Sequence, residues 1–261
     1  MMHNAMAKRL HIPLMNLLRF KGMPIFQQLQ VEEKLLRSSS ENWCITNDGT
    51  SPTSIVMGVS GDRRASELLE IESVLQDSIP VIRRFSGGGT VIVDDSTIFV
   101  TLICNKDALP EVQHYPRSIM SWTGELYGKV FEDLKGFHLR ENDYVFGDRK
   151  FGGNAQSVTK NRWLHHTSFL WDYDEKNMAY LKIPSKAPSY RIERNHSEFV
   201  CRMKDFISRN DFVGKTVESL STMFEIVPSS LDVMDSDHSH FPHSTEILQA
   251  QHLLNAHQNS L

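Results

Sequence analysis

Three consecutive glycines, Gly87, Gly88 and Gly89, restrict the local structure of this chain more than any other feature of its sequence. Glycine loses more backbone entropy on folding than any other residue, so three in a row do not belong inside a helix or a strand. The β-branched runs 81–84 and 90–94 lie on either side, so the glycines predict a loop between two strands. Backbone N–H groups in such a loop can form a concavity that binds an anion.

The remaining pattern predicts an α+β fold with a mixed or antiparallel central sheet and flanking helices. Strand-like runs succeed one another in the middle of the chain, and most helix-like runs lie nearer its ends, so strands and helices do not alternate regularly. The predicted strands are 12–20, 54–58, 81–84, 90–94, 97–104, 144–146, 149–159 and 163–172. The predicted helices are 24–36, 66–76, 116–134, 176–181, 197–207 and 215–224.

The length of 261 residues fits one large domain with short appendages. We expect residues 1–12 to be a flexible N-terminus and residues 13–227 to form the domain. Residues 228–243 are rich in Ser, Asp and His, which is typical of a mobile linker. Residues 228–261 are therefore expected to be a flexible tail with one short helix near its end, capped by Ser244.

Charge and composition exclude several classes of protein. No apolar run reaches the ~18 residues that a membrane-spanning helix needs. Residues 1–215 carry only two more basic than acidic residues, which is far too few to indicate a nucleic-acid-binding protein. The three cysteines, Cys44, Cys104 and Cys201, have no motif spacing, so they indicate free thiols in a reducing compartment. We expect a monomer, and cytosol and mitochondrion both remain open.

Two further segments carry groups suited to chemistry. Lys150 lies on a predicted strand and is followed by Gly152 and Gly153, where the missing side chains allow a ligand to approach. A second strand contains the pair His165 and His166 followed by Thr167 and Ser168. Taken alone, a strand lysine is usually a solvent-facing charge and paired histidines are usually packing residues. The glycine loop, which follows Arg83 and Arg84, favours a functional role for both segments.

Taken in order, these motifs resemble those of the lipoate-protein ligase A family. The motifs are Arg-Arg-x-Ser-Gly-Gly-Gly-x-Val at 83–91, Asn-Asp at 142–143 with Gly-Asp-Arg-Lys-x-x-Gly-x-Ala at 147–155, and His-His-Thr-Ser at 165–168. The resemblance covers residues 12–205 and implies an α+β module shared with biotin ligases and octanoyltransferases. It implies a two-step reaction, in which lipoate or octanoate is activated with ATP to an acyl-adenylate and then transferred to a lysine of an acceptor protein.

The resemblance also implies which residues form the site. Lys150 matches the family's catalytic lysine, which stabilises the negative charge that grows in both steps. Asn142 and Asp143 match a pair near the phosphates and Mg²⁺, a cation that prefers oxygen ligands. The residues that match the wall of the ATP and lipoate pocket are Arg84, Ser86, Gly87, Gly88, Gly89, Thr90, Val91, Ile92, Lys150, Gly152, Gly153, Asn154, Ala155, Gln156, His166, Thr167 and Ser168.

The resemblance implies acceptors with an apo lipoyl domain, namely the acyltransferase subunits of 2-oxoacid dehydrogenases and the glycine cleavage H protein. The two-domain members of the family carry a C-terminal accessory domain that aids adenylate formation. The roughly 55 residues after Asp205 are expected to be too few and too irregular for it. A separate accessory protein is therefore an expected further partner.

Three alternatives remain open. An octanoyltransferase would work without ATP through a cysteine thioester, but no cysteine of this chain lies where the related enzymes carry one. A biotin ligase is disfavoured because its Gly-Arg-Gly-Arg loop is missing. A binding protein that kept the fold without catalysis is the third alternative, and the retained Lys150 and glycine loop argue against it.

Overall fold

Two β-sheets and the helices around them make up residues 12–231 and 242–258, which the computed structural model describes. The expected flexible N-terminus, apart from residue 12, lies outside the described residues, as does much of the expected linker, at 232–241. Within the described ranges, no helix has both the length and the apolar character needed to cross a membrane.

The larger sheet has eight strands in the order β11-β1-β2-β6-β10-β9-β8-β7. The pairs β11–β1 and β1–β2 are parallel and the other pairs are antiparallel, so the sheet is mixed as expected. Its strands are β1 (Leu14–Lys21), β2 (Trp43–Asp48), β6 (Thr97–Asn105), β7 (Phe137–Arg140), β8 (Asp143–Phe146), β9 (Arg149–Val158), β10 (Arg162–Leu170) and β11 (Glu225–Pro228).

The smaller sheet has four strands in the order β12-β4-β3-β5. They are β3 (Ser54–Met57), β4 (Val81–Arg83), β5 (Val91–Val93) and β12 (Glu246–Ile247). The helices are α1 (Ile25–Ser38), α2 (Ala65–Leu68), α3 (Ile71–Gln76), α4 (Pro116–Val130), α5 (His196–Phe199), α6 (Arg209–Ser221) and α7 (Ala250–Gln258).

The two sheets are held together by apolar packing around α1. Ile25 and Leu29 of α1 form one buried cluster with Val56 of β3, Val93 of β5 and Phe99 of β6. On the opposite face of the larger sheet, α4 and α6 cover an aromatic core in which Tyr127 packs edge-on against Phe169, with ring centroids 5.0 Å apart. The smaller sheet and α1 therefore share one face of the larger sheet, and the space between the two sheets is where a pocket can form.

The predicted strands occur within two residues of their predicted bounds, but four strands were missed. These are β2, β7, β11 and β12. The second half of β2 reads Thr-Asn-Asp, which weakens its strand signal. Asn47 is nevertheless fully buried, because its side-chain amide donates to the main-chain oxygen of Met23 and to Gln28 Oε1, both at 2.9 Å. A polar residue with buried partners cannot be distinguished in sequence from a loop residue.

Two predicted helices are wrong. The expected helix 66–76, with a serine cap, is split into α2 and α3, because Leu69 forms a β-bridge with Leu181 between them. The expected helix 197–207 consists only of the single turn α5 and a 3₁₀ turn at Met203–Asp205. The chain after α5 is extended, since the Cys201 N–H donates to the Lys150 main-chain oxygen at 2.8 Å. Cys201, which falls within the expected helix 197–207, therefore lies in an extended segment.

The structure also differs from the expected flexible tail. In the described range 242–258, β12 pairs with β4, and α7 packs against α2 and α3. Leu248 and Leu253 are 6% and 3% exposed and belong to the same buried cluster as Ile55 and Ile71. Ser244 does not cap α7, which begins six residues later; it contacts Glu33 instead. The expected short helix corresponds to α7, but two buried leucines within a polar stretch are too few to predict that the segment packs on the core.

Candidate active site

Two cavities between the sheets meet at Lys150. The first, which we call the apolar cavity, has a volume of about 120 Å³ and lies between the smaller sheet, α1 and the larger sheet. The second, which we call the basic cavity, has a volume of about 350 Å³. Both cavities are lined by Gly89, Thr90, Val91, Lys150 and Leu170. A ligand with an apolar part and an anionic part could therefore extend from one cavity into the other beside the Lys150 ammonium.

The two cavities differ in the number of basic side chains that line them, although both linings also contain apolar residues. The apolar cavity has seven apolar lining residues, which are Ile25, Val56, Val91, Val93, Phe99, Ala155 and Leu170. The basic cavity is lined by Arg64, Lys150, Lys182, Lys186 and Arg191, and Asp143 is the one acid among its lining residues. An apolar chain suits the first cavity. Phosphate oxygens suit the second.

Arg84 holds the glycine loop in place. Arg84 is 4% exposed, and its guanidinium donates to the main-chain oxygens of Gly87 at 3.2 Å and Gly89 at 2.9 Å. Burial lowers the Arg84 pKa to about 10, against the opposing charge of Glu32, so the side chain remains cationic at neutral pH. Gly88 has φ +124°, and a Cβ there would lie 2.5 Å from Arg84 Nη2. Glycine is therefore required at position 88 by both backbone conformation and space.

Lys150 projects from β9 and forms an ion pair with Asp143 of the neighbouring strand β8. Its Nζ lies 2.7 Å from Asp143 Oδ1, and the Asp143 side chain is 8% exposed. A Cβ on Gly153 would lie 3.1 Å from both Cε and Nζ of Lys150. Gly153 therefore leaves the room that the ammonium occupies, which gives a physical reason for this glycine in the motif.

The His166 ring is held by the buried carboxylate of Glu32, a residue that was not predicted from the sequence to be part of the site. His166 donates its Nδ1–H to Glu32 Oε1 at 2.9 Å, and the Glu32 side chain has no exposed surface. Gln28 and Thr101 each donate to the same oxygen at 2.8 Å. Nε2 is thus the ring nitrogen of His166 available to a ligand. One feature of the sequence could have indicated Glu32. This acid falls on the apolar stripe of α1, between Leu29 and Leu36.

The structure brings most of the expected site residues to the two cavities, and leaves some away from them. The apolar cavity is lined by Arg84, Gly89, Thr90, Val91, Lys150, Gly153, Asn154, Ala155, His166 and Ser168. The basic cavity is additionally lined by Gly88, Ile92 and Asp143. The expected residues that line neither cavity are Ser86, Gly87, Asn142, Gly152, Gln156 and Thr167.

Strand alternation explains why some of these residues lie away from the cavities. Successive side chains of β10 point to opposite faces, so His166 and Ser168 face the apolar cavity while His165 and Thr167 face the other side of the sheet. His165 is fully buried there, where it bonds Tyr144 and Gln156. Burial lowers its pKa to about 3, which keeps it neutral and structural.

The expected magnesium ligands do not form a metal site. Both oxygens of Asp143 are engaged, Oδ1 with Lys150 at 2.7 Å and Oδ2 with the Tyr190 hydroxyl at 2.8 Å. Asn142 is exposed, and its main-chain oxygen accepts from the Asn154 side chain at 2.6 Å. Within residues 12–231 and 242–258, no group of three or more His, Cys, Asp or Glu side chains could hold a metal ion. The residues present therefore do not fit a Mg²⁺ ion held by the protein alone.

All three cysteines are buried and none lines either cavity. Cys44 and Cys104 have no exposed surface, and Cys201 is 5% exposed. Burial raises the pKa of Cys44 to about 12 and that of Cys201 to about 11. A thiol that stays protonated and out of reach is a poor nucleophile.

Residues 24–225 match the model of the lipoyl protein ligase A/B catalytic domain. The match covers more than half of the chain, so the chain belongs to the lipoyl protein ligase A/B catalytic domain family.

Among curated relatives, a Plasmodium falciparum protein named inactive lipoate–protein ligase 2 is 26% identical over 259 residues, covering 75% of this chain and 66% of the relative. An Aeropyrum pernix protein that carries the lipoate-protein ligase A name is 29% identical over 175 residues, covering 66% of this chain and 62% of the relative. The chain thus spans less than two thirds of the length of these relatives.

Solved structures share the fold at low sequence identity. A lipoate-protein ligase A bound with ATP superposes with a TM-score of 0.67 at 18% identity, covering 88% of this chain and 97% of the other. A Thermoplasma acidophilum chain with bound lipoic acid also gives 0.67, at 17% identity and 83% and 90% coverage. A bi-partite lipoate protein ligase of the same organism, studied with its E2 lipoyl domain, gives 0.67 at 19% identity, with 84% and 88% coverage.

Proposed function

We propose that this protein is an ATP-dependent lipoate-protein ligase, which activates lipoate or octanoate to an acyl-adenylate and transfers the acyl group to a lysine of an apo lipoyl domain. The observation that carries the proposal is the position of Lys150, at the one place where the apolar and the basic cavity meet. Two substrates of opposite chemical character would react at such a junction.

In the first step the acyl chain occupies the apolar cavity, with its carboxylate beside the Lys150 ammonium, and the ATP phosphates lie in the basic cavity. A carboxylate oxygen attacks the α-phosphorus, a new O–P bond forms, and the bond to pyrophosphate breaks. Arg64, Lys182 and Arg191 line the basic cavity and would neutralise phosphate charge. Lys150 stabilises the charge that grows on the oxygens it touches, which is the largest single source of catalysis in many enzymes.

In the second step the neutral ε-amine of an acceptor lysine attacks the acyl carbonyl carbon. An amide bond forms, AMP leaves with the electrons of the broken C–O bond, and the amine releases its proton to water. Negative charge grows on the carbonyl oxygen and on the leaving phosphate, so the same Lys150 ammonium serves this step as well. His166, whose Nδ1 is fixed by Glu32, would offer its other ring nitrogen to the ligand.

The comparisons support the choice of substrates and partners. Chains of the same fold have been solved with ATP and with lipoic acid. The bi-partite ligase was studied with its E2 lipoyl domain, which supports lipoyl-domain acceptors for this chain. The acceptors proposed are the acyltransferase subunits of 2-oxoacid dehydrogenases and the glycine cleavage H protein. The bi-partite nature of that relative also supports a separate accessory protein as a partner in activation.

A second candidate function is ligand binding without catalysis. It is favoured by one observation, the name of the Plasmodium falciparum relative as an inactive ligase. Against it stands the ion-paired Lys150 at the junction of the cavities. The cysteine-dependent acyltransferase is disfavoured, because the three cysteines are buried away from both cavities.

One assay separates these functions. The purified chain is incubated with apo lipoyl domain, Mg²⁺ and either lipoate with ATP or octanoyl-acyl carrier protein without ATP, with and without an accessory protein. Pyrophosphate release that requires both lipoate and ATP, together with acylated acceptor, is the result expected of a ligase. Acylation without ATP would indicate a transferase, and saturable lipoate binding with no product would indicate a binding protein.

A further inference from the structure

We propose that Asp143 is the counter-ion of Lys150, with Tyr190 as a positioning residue that acts through Asp143. This inference deepens the proposed function and rests on it. The role of Asp143 in the site is then to orient an ammonium, and not to hold a metal ion.

The first step of the argument is the way in which the Asp143 carboxylate is used. Oδ1 accepts from Lys150 Nζ at 2.7 Å, and Oδ2 accepts from the Tyr190 hydroxyl at 2.8 Å. Asp143 and Tyr190 are 6% and 3% exposed. Each carboxylate oxygen thus has its own donor, and charge-assisted hydrogen bonds of this kind are stronger than neutral ones. The Asp143 side chain is buried, whereas the Lys150 side chain is 28% exposed at the cavities.

The second step is that Tyr190 is itself held firmly. The guanidinium of Arg140 lies over the Tyr190 ring, 4.5 Å from its centroid, and the ring of Phe199 lies 5.2 Å away. The adjacent Ser189 donates its main-chain N–H to Glu141 Oε1 at 2.9 Å. These contacts fix the ring, and the ring fixes the position of the hydroxyl. Burial and the charge of Asp143 raise the Tyr190 pKa, so the hydroxyl remains a donor.

The third step concerns the donors of the ammonium. A lysine ammonium has three N–H donors. One points to Asp143, and two remain at the junction of the cavities, where the reaction presents two groups to be bound, the acyl carbonyl oxygen and the α-phosphate. If the carboxylate were free to turn, the ammonium would turn with it. A misplacement of about 1 Å can lower a rate about 100-fold.

The test is Tyr190→Phe, which removes only the hydroxyl. Tyr180→Phe is the matched control, because the Tyr180 hydroxyl makes the same kind of bond, 2.7 Å to Asp77 Oδ2, outside the lining of either cavity. In the acylation assay we expect kcat to fall about 10-fold or more in Tyr190→Phe. KM for ATP and lipoate should change less than about twofold, since ground-state contacts are kept. Tyr180→Phe should match the wild type.

A second measurement does not depend on activity, so it separates failure of this inference from failure of the proposed function. Lys150 is labelled with an amine-reactive reagent and quantified by mass spectrometry. Loosening the ion pair exposes the amine, so labelling should be several-fold faster in Tyr190→Phe and faster still in Asp143→Asn, and unchanged in Tyr180→Phe. Asp143→Asn serves as the second variant if Tyr190→Phe does not fold.

Two outcomes would overturn the inference. One is wild-type labelling of Lys150 in the folded variants. The other is an Asp143→Asn variant whose lost activity is recovered by excess Mg²⁺ while Lys150 labelling stays at the wild-type rate, since Asp143 would then be a metal ligand. If the wild-type chain forms no acyl-adenylate, the proposed function fails, and the labelling rates still decide whether Tyr190 positions Lys150.

Discussion

Glu33 of α1 and Ser244, which are 211 residues apart in sequence, are joined through a carboxylate that has no exposed surface. The main-chain N–H of Ser244 donates to Glu33 Oε1 at 3.0 Å, its hydroxyl donates to the same oxygen, and Thr245 donates twice to Oε2 at 3.1 Å. The segment that follows pairs with β4, the strand that leads directly into Arg84 and the glycine loop. The C-terminal segment therefore supports the wall of the candidate active site.

We expect the packing of this segment to contribute measurably to stability. Leu253 and Leu254 are adjacent on α7, but they are 3% and 38% exposed. Leu253→Ala should lower the free energy of unfolding by about 2–4 kcal/mol, because it leaves a cavity in the cluster with Ile55 and Ile71. Leu254→Ala should change it by less than about 0.5 kcal/mol. Urea denaturation of the two variants checks this, and equal effects would show that α7 is not docked.

The Glu33 carboxylate should make stability depend on pH. Burial raises its pKa, but the hydrogen bonds from Ser244 and Thr245 outweigh this, so the pKa lies below the ordinary 4.5. A carboxyl with a lowered folded-state pKa stabilises the protein above its unfolded pKa, and the stabilisation is lost as the pH falls through the folded value. Glu33→Gln should therefore be less stable than wild type at pH 7, by about 1–3 kcal/mol.

Below pH 4.5 the difference in stability between Glu33→Gln and the wild type should shrink. The wild-type carboxylate becomes protonated in this range, so its charge no longer stabilises the folded state. Melting temperatures measured from pH 7 down to pH 3 check this. A difference that stays constant over the whole range would mean that the carboxylate charge has no part in holding the segment.

We expect Lys150→Ala to remain folded and to lose both half-reactions, by about 100-fold or more, because the stabilisation of developing charge is removed. Lys160→Ala is the control, since Lys160 is exposed and lines neither cavity. Pyrophosphate release reports the first half-reaction and transfer from supplied acyl-adenylate reports the second. Adenylate formation near the wild-type rate in Lys150→Ala would refute the role of this lysine.

The cysteines should be dispensable for acyl transfer. Cys44→Ser, Cys104→Ser and Cys201→Ser should each keep substantial activity per folded molecule, because the thiols are buried away from the cavities. Some loss of stability is expected where a hydroxyl replaces a thiol in an apolar core. Loss of transfer in one variant, combined with an octanoyl-cysteine trapped at that position in the wild type, would favour a thioester transferase instead.

The sequence predicted the parts of the site that depend on short segments. Strands with strong β-branched runs, the glycine loop and Lys150 with Gly153 were identified because each signal lies within a few residues. Glu32 was missed, although an acid on the apolar stripe of α1 is a usable signal. Tyr190 could not have been found, because it reaches Asp143 across 47 residues from an irregular 3₁₀ turn that has no periodicity. The short helix near the end of the chain was predicted, but the burial of Leu248 and Leu253 was not, because a few leucines within a polar stretch do not show which surface they pack on.

The most direct test of the central claim, that Lys150 at the junction of two cavities serves acyl-adenylate chemistry, is single-turnover transfer from synthetic lipoyl-adenylate to an apo lipoyl domain, followed by intact-mass spectrometry. The account predicts that wild-type protein adds one lipoyl group to the acceptor lysine and releases one equivalent of AMP, far faster than Lys150→Ala and with Lys160→Ala at the wild-type rate. An acceptor that gains mass no faster with wild-type protein than without it would contradict the account.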